Sequence, residues 1–196
     1  MAREGEAAQF VLAVGDLHVP QRAADLPPQF REYLDSGRIG HVLCTGNVGD
    51  AESFEALRRI AAGFSAVRGD ADELEGLPEL RRVSIAGFGV LLLHGHQLAP
   101  WDDDAALLAL AREHDADIVV SGHTHRQSVR EASRVLLVNP GSATGAFSAV
   151  ELAPPPAFVL LKLAPNGTAD VYLYRCGPPP ERRVQIEKRP FTRAPR

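Results

Sequence analysis

Phe10-Val11-Leu12-Ala13-Val14-Gly15-Asp16-Leu17-His18 runs five apolar residues straight into a glycine, an aspartate and a histidine. An apolar run without polar alternation is the pattern of a short strand buried on both faces of a parallel sheet. The same punctuation returns along the chain. Ile39 to Thr45 closes on Gly46-Asn47, Phe64 to Val67 on Arg68-Gly69-Asp70, and Val90 to Leu93 on His94-Gly95. Ile118 to Val120 then leads into Gly122-His123-Thr124-His125. In open α/β sheets, side chains beyond the carboxyl ends of the strands meet, so Asp16, His18, Asn47, Asp70, His94, His123 and His125 are expected to converge. Carboxylate, amide and imidazole together suit Mn, Zn or Fe, and this many donors suits two adjacent ions. The glycines are read as letting the backbone turn sharply after each strand. His41, inside a strand pattern, and His114, at a helix end, read as structural histidines.

Between these strands lie helical segments. Pro27 and Pro28 open Phe30 to Leu34, which Gly37 closes. Asp50 is placed to cap a helix carrying Phe54, Leu57 and Ile60 at helical spacing. Asp102, Asp103 and Asp104 precede Leu107, Leu108, Leu110 and Ala111, so acids meet the positive end of a third helix. The second half is richer in strands. Arg82 to Ala86 and Val90 to Leu93 flank Gly87-Phe88-Gly89, whose spacing suits a hairpin turn better than a nucleotide loop. Val135 to Val138, Phe158 to Leu163 and Val171 to Tyr174 follow, and Arg183 to Glu187 is a candidate edge strand. The expected organisation is one α/β domain over residues 10–188, with a flexible lead-in at 1–9 and a basic flexible tail at 189–196.

The 196 residues carry 21 Lys and Arg against 25 Asp and Glu, a net charge of −4, which excludes a generally basic, nucleic-acid-coating protein. Six of the basic residues lie after residue 176, so the body is more acidic than the total implies. Two cysteines are too few for a disulfide framework, and Cys44 within an apolar run reads as a small core residue. No apolar run approaches the ~20 residues of a membrane span. These features point to a soluble, cytoplasmic protein with no direct membrane insertion.

Gly15-Asp16-Leu17-His18, Gly46-Asn47, Gly69-Asp70-Ala71-Asp72, His94-Gly95 and Gly122-His123-Thr124-His125 resemble, in order, the motifs of calcineurin-like metallophosphoesterases. Longer blocks, among them Leu43-Cys44-Thr45-Gly46-Asn47, Pro100-Trp101 and Asn139-Pro140-Gly141-Ser142-Ala143-Thr144-Gly145-Ala146, are similar to the retromer-subunit branch of that superfamily. The resemblance implies a β-sandwich flanked by helices, in α/β/β/α layers. It would place Asp16, His18, Asn47 and His125 around one divalent ion, Zn or Mn, and Asn47, Asp70, His94 and His123 around a second. Asn47 stands where active relatives have a bridging Asp, so the ions should be held weakly. Asp72 adds to the acid around them. Ala71 stands where active relatives carry a catalytic His, and His96 is the one nearby substitute. The resemblance therefore implies a non-catalytic scaffold, with an active metal-dependent phosphoesterase as the alternative.

The same resemblance implies partners. Leu98, Ala99 and Trp101 would face the C-terminal α-solenoid of vacuolar protein sorting-associated protein 35. Tyr33, Leu160, Tyr172 and Tyr174 would form an apolar patch for a Rab GTPase-activating protein, sorting nexins or exchange factors. Location on endosomes would then come through the complex.

Overall fold

β1 (Gln9–Val14) pairs in parallel with β2 (Ile39–Cys44) and antiparallel with β9 (Ala157–Leu163), which puts the opening strand inside a sheet. β3 (Gly63–Ala66) extends that sheet beyond β2, and β10 (Thr168–Cys176) and β11 (Val184–Thr192) extend it beyond β9. The order across the six strands is β11-β10-β9-β1-β2-β3. A five-stranded sheet, β4-β5-β6-β8-β7, is built from β4 (Leu80–Ile85), β5 (Phe88–Leu93), β6 (Ile118–Ser121), β7 (Ser128–Ala132) and β8 (Val135–Asn139). The structure, a computed structural model, describes residues 7–73 and 76–193.

Successive side chains of a strand point to opposite faces, and β1 uses both. Val11 and Ala13 join Leu43, Val90, Leu92, Val120, Val138 and Val159 in the core between the two sheets. Leu12 and Val14 face the other way, toward Phe30 and Leu34 of α1 (Pro28–Leu34) and Leu57 of α2 (Ala51–Arg59). A third core packs Leu91, Leu93, Val119 and Leu137 against Leu107 and Ala111 of α3 (Asp104–Glu113). The layers are therefore α/β/β/α, and the mixed α/β sandwich expected from the motifs is the fold observed. Both faces of β1 and β5 are buried, which is why their sequences are unbroken apolar runs.

The helix signals act as read. Asp50 accepts a hydrogen bond from Ser53 N at 2.7 Å and Asp103 one from Ala106 N at 2.9 Å, each satisfying an orphan donor of a first helical turn. Pro28 occupies the first turn of α1, where its missing N–H costs nothing. Cys44 is fully buried, and burial pushes its thiol up to about 12.

Three sequence expectations need correction. Phe88 and Gly89 belong to β5, and the hairpin turn is Ala86-Gly87, with φ of 48° and 79°. β7 was not expected; its Ser-Val-Arg-Glu-Ala carries one large apolar residue and joins β8 through Ser133-Arg134, which contains neither Gly nor Asn. The tail boundary at 188 also moves. β11 continues through Arg189, Pro190, Phe191 and Thr192, and Phe191, the one buried residue of the strand, joins the core between the sheets. Residues 1–6 of the lead-in and 194–196 of the tail lie outside the described residues.

Candidate metal centre

The seven side chains come together at the carboxyl ends of β1, β2, β3, β5 and β6, and they fall into two groups. Asp16, His18 and His125 form one, and Asp70, His94 and His123 the other; within each, the candidate ligand atoms lie within 4.8 Å of one another. Asn47 lies against the second group: its Nδ2 donates to Asp70 Oδ1 at 2.9 Å and lies 3.1 Å from His94 Nε2. Asp16 Oδ1 faces both groups, 3.3 Å from His125 Nε2, 3.9 Å from His18 Nε2 and 4.0 Å from His94 Nε2.

Backbone geometry delivers these atoms. Asp16, His18, Asn47, His123 and His125 themselves adopt positive φ, between 50° and 70°, a region L-residues enter at a cost. Such strain concentrates where a site over-determines the backbone. Gly69 and Gly122 are needed for a different reason than turning. A Cβ on Gly69 would lie 2.1 Å from Asn47 Oδ1, and one on Gly122 would lie 2.6 Å from Asp16 Oδ2. These glycines make room for the ligands, and the ligands make the turns. Asp72, expected to add its charge to the ions, does something else. It accepts hydrogen bonds from the backbone N–H groups of Asn47 (2.7 Å), Gly69 (2.9 Å) and Val48 (3.0 Å), tying the loops after β2 and β3 together.

The electrostatics are those of a charged centre with its partners close by. Burial pushes the Asp16 carboxyl up, but the imidazoles of His125, His94 and His18 outweigh it and hold it below its ordinary value. The hydrogen bond from His94 holds Asp70 well below the carboxylate range. Burial opposes the charge on His94, yet Asp70 and Asp16 raise it. Burial drops His18 to about 4, so its ring is neutral at neutral pH. Burial, with His94 beside it, also lowers His123.

Three observations fit bound divalent ions, the first two at the Asp16 group and the third at both. Asp16 Oδ1 is buried without a hydrogen-bond partner, an arrangement with a large desolvation cost unless a cation is near. His18 and His125 point Nε2 at each other across 3.2 Å. His94 and His125 each turn Nδ1 to a backbone carbonyl, Thr45 O at 2.7 Å and Ala146 O at 2.6 Å, which is the usual partner of a metal-binding imidazole. Asn47 fits less well: its Oδ1 accepts from Ala71 N at 2.9 Å, and its N–H donor is the group turned inward.

A cleft of about 210 Å³ opens over the centre, lined by His18, Asn47, Asp70, His123 and His125 and closed at its sides by Arg22, Trp101 and Ser148 to Val150. Ala71 is exposed and has no proton to give. His96 is outside the cleft lining, with Nε2 3.7 Å from Glu79 Oε2. Of the expected solenoid-facing residues, Trp101 is 44% exposed on the rim and Ala99 is exposed, while Leu98 packs against the α3 core. One rim residue was missed: Phe147, 52% exposed, precedes the cleft-lining Ser148 and packs against the cleft-lining Arg22, while Leu152, 80% exposed, lies further along the same loop. A lone aromatic after Gly145-Ala146 was the only signal in the sequence. Tyr33, Leu160 and Tyr172 gather half-buried on the α1 side of the six-stranded sheet. Tyr174 is buried there, stacked on Phe158 at 4.4 Å and edge-on to Tyr33 at 5.0 Å.

Residues 10–164 match the model of the calcineurin-like phosphoesterase superfamily domain. Vacuolar protein sorting-associated protein 29 of Schizosaccharomyces pombe is 35% identical over 188 residues, covering 94% of this chain and 98% of its own. The structure of Vacuolar Protein Sorting 29 from Cryptosporidium parvum superposes with a TM-score of 0.88 at 38% identity, covering 96% of this chain and all (100%) of that one. Vps29 of Entamoeba histolytica complexed with Zn superposes with a TM-score of 0.87 at 40% identity, over 94% of this chain and 100% of that one. Matches of this length run through both sheets and all three helices, and on them the chain belongs to the calcineurin-like phosphoesterase superfamily and, within it, to the Vps29 family.

Proposed function

We propose that this chain is a non-catalytic scaffold subunit of the retromer cargo-sorting complex. Its metal-side face would dock on the C-terminal α-solenoid of vacuolar protein sorting-associated protein 35, in retrograde transport from endosomes. The observation that carries this reading is the apolar rim. Two of the four large hydrophobic residues exposed among the described residues lie at the cleft: Trp101, which lines it, and Phe147, whose ring sits 5.0 Å from the guanidinium of the cleft-lining Arg22. Exposed aromatic residues grouped in this way mark an interaction face. No helix among the described residues is long and apolar enough to cross a membrane, so placement on endosomes from the cytoplasmic side is assigned to the complex.

Two divalent ions, Zn or Mn, would sit in the two groups, with Asp16, His18 and His125 holding one and Asp70, His94 and His123 the other. Such ions supply Lewis-acid polarisation of an anionic ligand's oxygens. What the chain lacks is the acid for a leaving group, worth about 10²–10⁴ in rate. Ala71 cannot provide it, and the His96 ring is turned toward Glu79. The half-buried Tyr33, Leu160 and Tyr172 patch is assigned to regulators of the complex: a Rab GTPase-activating protein, sorting nexins or exchange factors.

The test pairs two measurements on the full chain. Trp101→Asp and Phe147→Asp should each abolish co-purification with the solenoid, and the unaltered chain should show no metal-dependent turnover of phosphomonoester or phosphodiester substrates. Retained co-purification argues against the rim, and turnover at ordinary enzyme rates argues for the phosphoesterase alternative.

A further inference from the structure

The imidazoles of the centre are not oriented alike. His94 and His125 are each fixed by a hydrogen bond from Nδ1 to a backbone carbonyl. The His123 ring has no such bond among the described residues; its Nδ1 lies 3.5 Å from Asp70 Oδ1. Packing takes its place. The Trp101 ring stands edge-on against His123 with centroids 4.5 Å apart and planes at 79°. The His94 ring also lies 5.2 Å away at 73°. Packed against these two rings, the imidazole has little freedom to turn from Asp70.

Trp101 can act as a wall because its own loop is fixed. Arg130 of β7 donates to Asp102 O and Oδ1, both at 3.0 Å, and to Asp104 Oδ1 at 2.6 Å. Asp103, between those two acids, caps α3. Both residues following the tryptophan are thus tied to rigid elements, although Trp101 itself remains 44% exposed on the rim.

We propose that Trp101 is the positioning residue of His123, doing by packing what backbone carbonyls do for His94 and His125. Its indole faces the cleft on one side and solvent on the other. Zinc held by Asp70, His94 and His123 draws the imidazole, and the indole against it, into one fixed arrangement. Metal at this group therefore presets the rim residue assigned above to docking, and an occupant seated on Trp101 tightens metal in turn. Linkage makes the two effects equal. The positioning role stands on the geometry of the centre alone; the consequence for docking rests on the proposed function.

Zinc chloride is the probe, with the full-length chain and no partner. A His18→Ala background retains the Asp70 group, and a His123→Ala background retains the Asp16 group. In the first, Trp101→Ala should weaken zinc binding about tenfold or more by calorimetry, the range for residues that orient a metal ligand. Trp101→Phe, which keeps a ring against His123, should recover most of that loss. Trp101 is the only tryptophan, so its emission in the first background should change saturably with zinc. In the second background neither the emission change nor the loss of affinity should appear. A merely structural tryptophan would lower the melting temperature and weaken both backgrounds alike. Equal zinc affinities with and without Trp101→Ala, an equal loss in both backgrounds, a Phe substitution as damaging as Ala, or no zinc binding at all would each overturn the proposal. Because no partner is present, failure of the docking reading leaves this result standing, and failure here leaves the rim reading standing.

Discussion

At the scale of single residues, Asn47 separates what the sequence displays from what only coordinates can. Its place after a strand and a glycine marks it as a ligand, but no pattern says which end of the amide faces inward. Here Nδ2 faces inward and binds the Asp70 carboxylate, while Oδ1 holds Ala71 N. An Asp at this position would set a second carboxylate oxygen beside Asp70 Oδ1 in place of a donor. Without metal, Asn47→Asp loses a hydrogen bond to a charged acceptor, worth roughly 1.5–3 kcal/mol, and gains like-charge repulsion. The melting temperature in chelator should therefore fall. Saturating zinc should reverse the fall, and zinc should bind more tightly than to the unaltered chain, since the added charge now has a cation to face. Melting curves with chelator and with zinc check both halves; an unchanged curve in chelator would show that the amide does not hold Asp70. The same limit on legibility applies to Asp72 and to the glycines. Their types were visible, but three backbone N–H groups converging on one carboxylate, and the lack of room for a Cβ, exist only after folding.

Elements were legible where local chemistry decides them. Asp50 and Asp103 announce their helices because a carboxylate at that position has a definite task, and the buried strands announce themselves by having no polar face to show. β7 was invisible because it lies at the edge of its sheet with one large buried residue, Val129, so tertiary pairing rather than periodicity makes it a strand. Its turn is informative. Ala132 pairs with Val135, leaving a two-residue loop whose Ser133 and Arg134 sit at φ of 48° and 66°. Two positive φ values are the signature of a type I′ hairpin, for which Asn-Gly is the favoured sequence. The β4–β5 turn has the same φ pattern but carries Gly87 at its second position. Placing a glycine at the equivalent position, Arg134→Gly, should stabilise the protein by about 1 kcal/mol, because a side chain in the left-handed region costs about that much. Ser133→Asn combined with it should add a few tenths of a kcal/mol more. The urea midpoint should rise without a change in slope. A lower midpoint would mean that the Arg134 side chain contributes more than its backbone strain costs.

At the scale of the whole molecule, the uneven charge along the sequence has a structural meaning. Two cations of the basic end, Lys188 and Arg193, face acids of the body. Lys188 pairs with Asp170 at 2.9 Å, and Arg189 donates to Val129 O of the other sheet at 2.5 Å. Arg193 donates to Gly87 O, lies 3.7 Å from Asp117 and packs over the Phe88 ring. Charge counting alone could not distinguish this from a solvated extension, because the deciding contacts reach residues 60 and 106 positions away. Between the two arginines, Phe191 is 3% exposed in the core that joins the sheets. Its loss outweighs that of the ion pairs: truncating a buried Phe to Ala costs about 3–5 kcal/mol, whereas a surface ion pair is worth about 0–1. Phe191→Ala should therefore lower the unfolding free energy by about 3–5 kcal/mol and Arg193→Ala by less. A chain ending at Lys188 should be destabilised at least as much as Phe191→Ala, because it also loses the pairing of β10 with the last four residues of β11. Against a typical total of about 5–15 kcal/mol, that leaves the truncated chain only marginally folded. Urea unfolding of the three variants decides the matter: a truncated chain with an unshifted midpoint would return residues 189–196 to the status of a dispensable tail. A shift led by Phe191 would make residues 189–193 the strap that closes the sandwich.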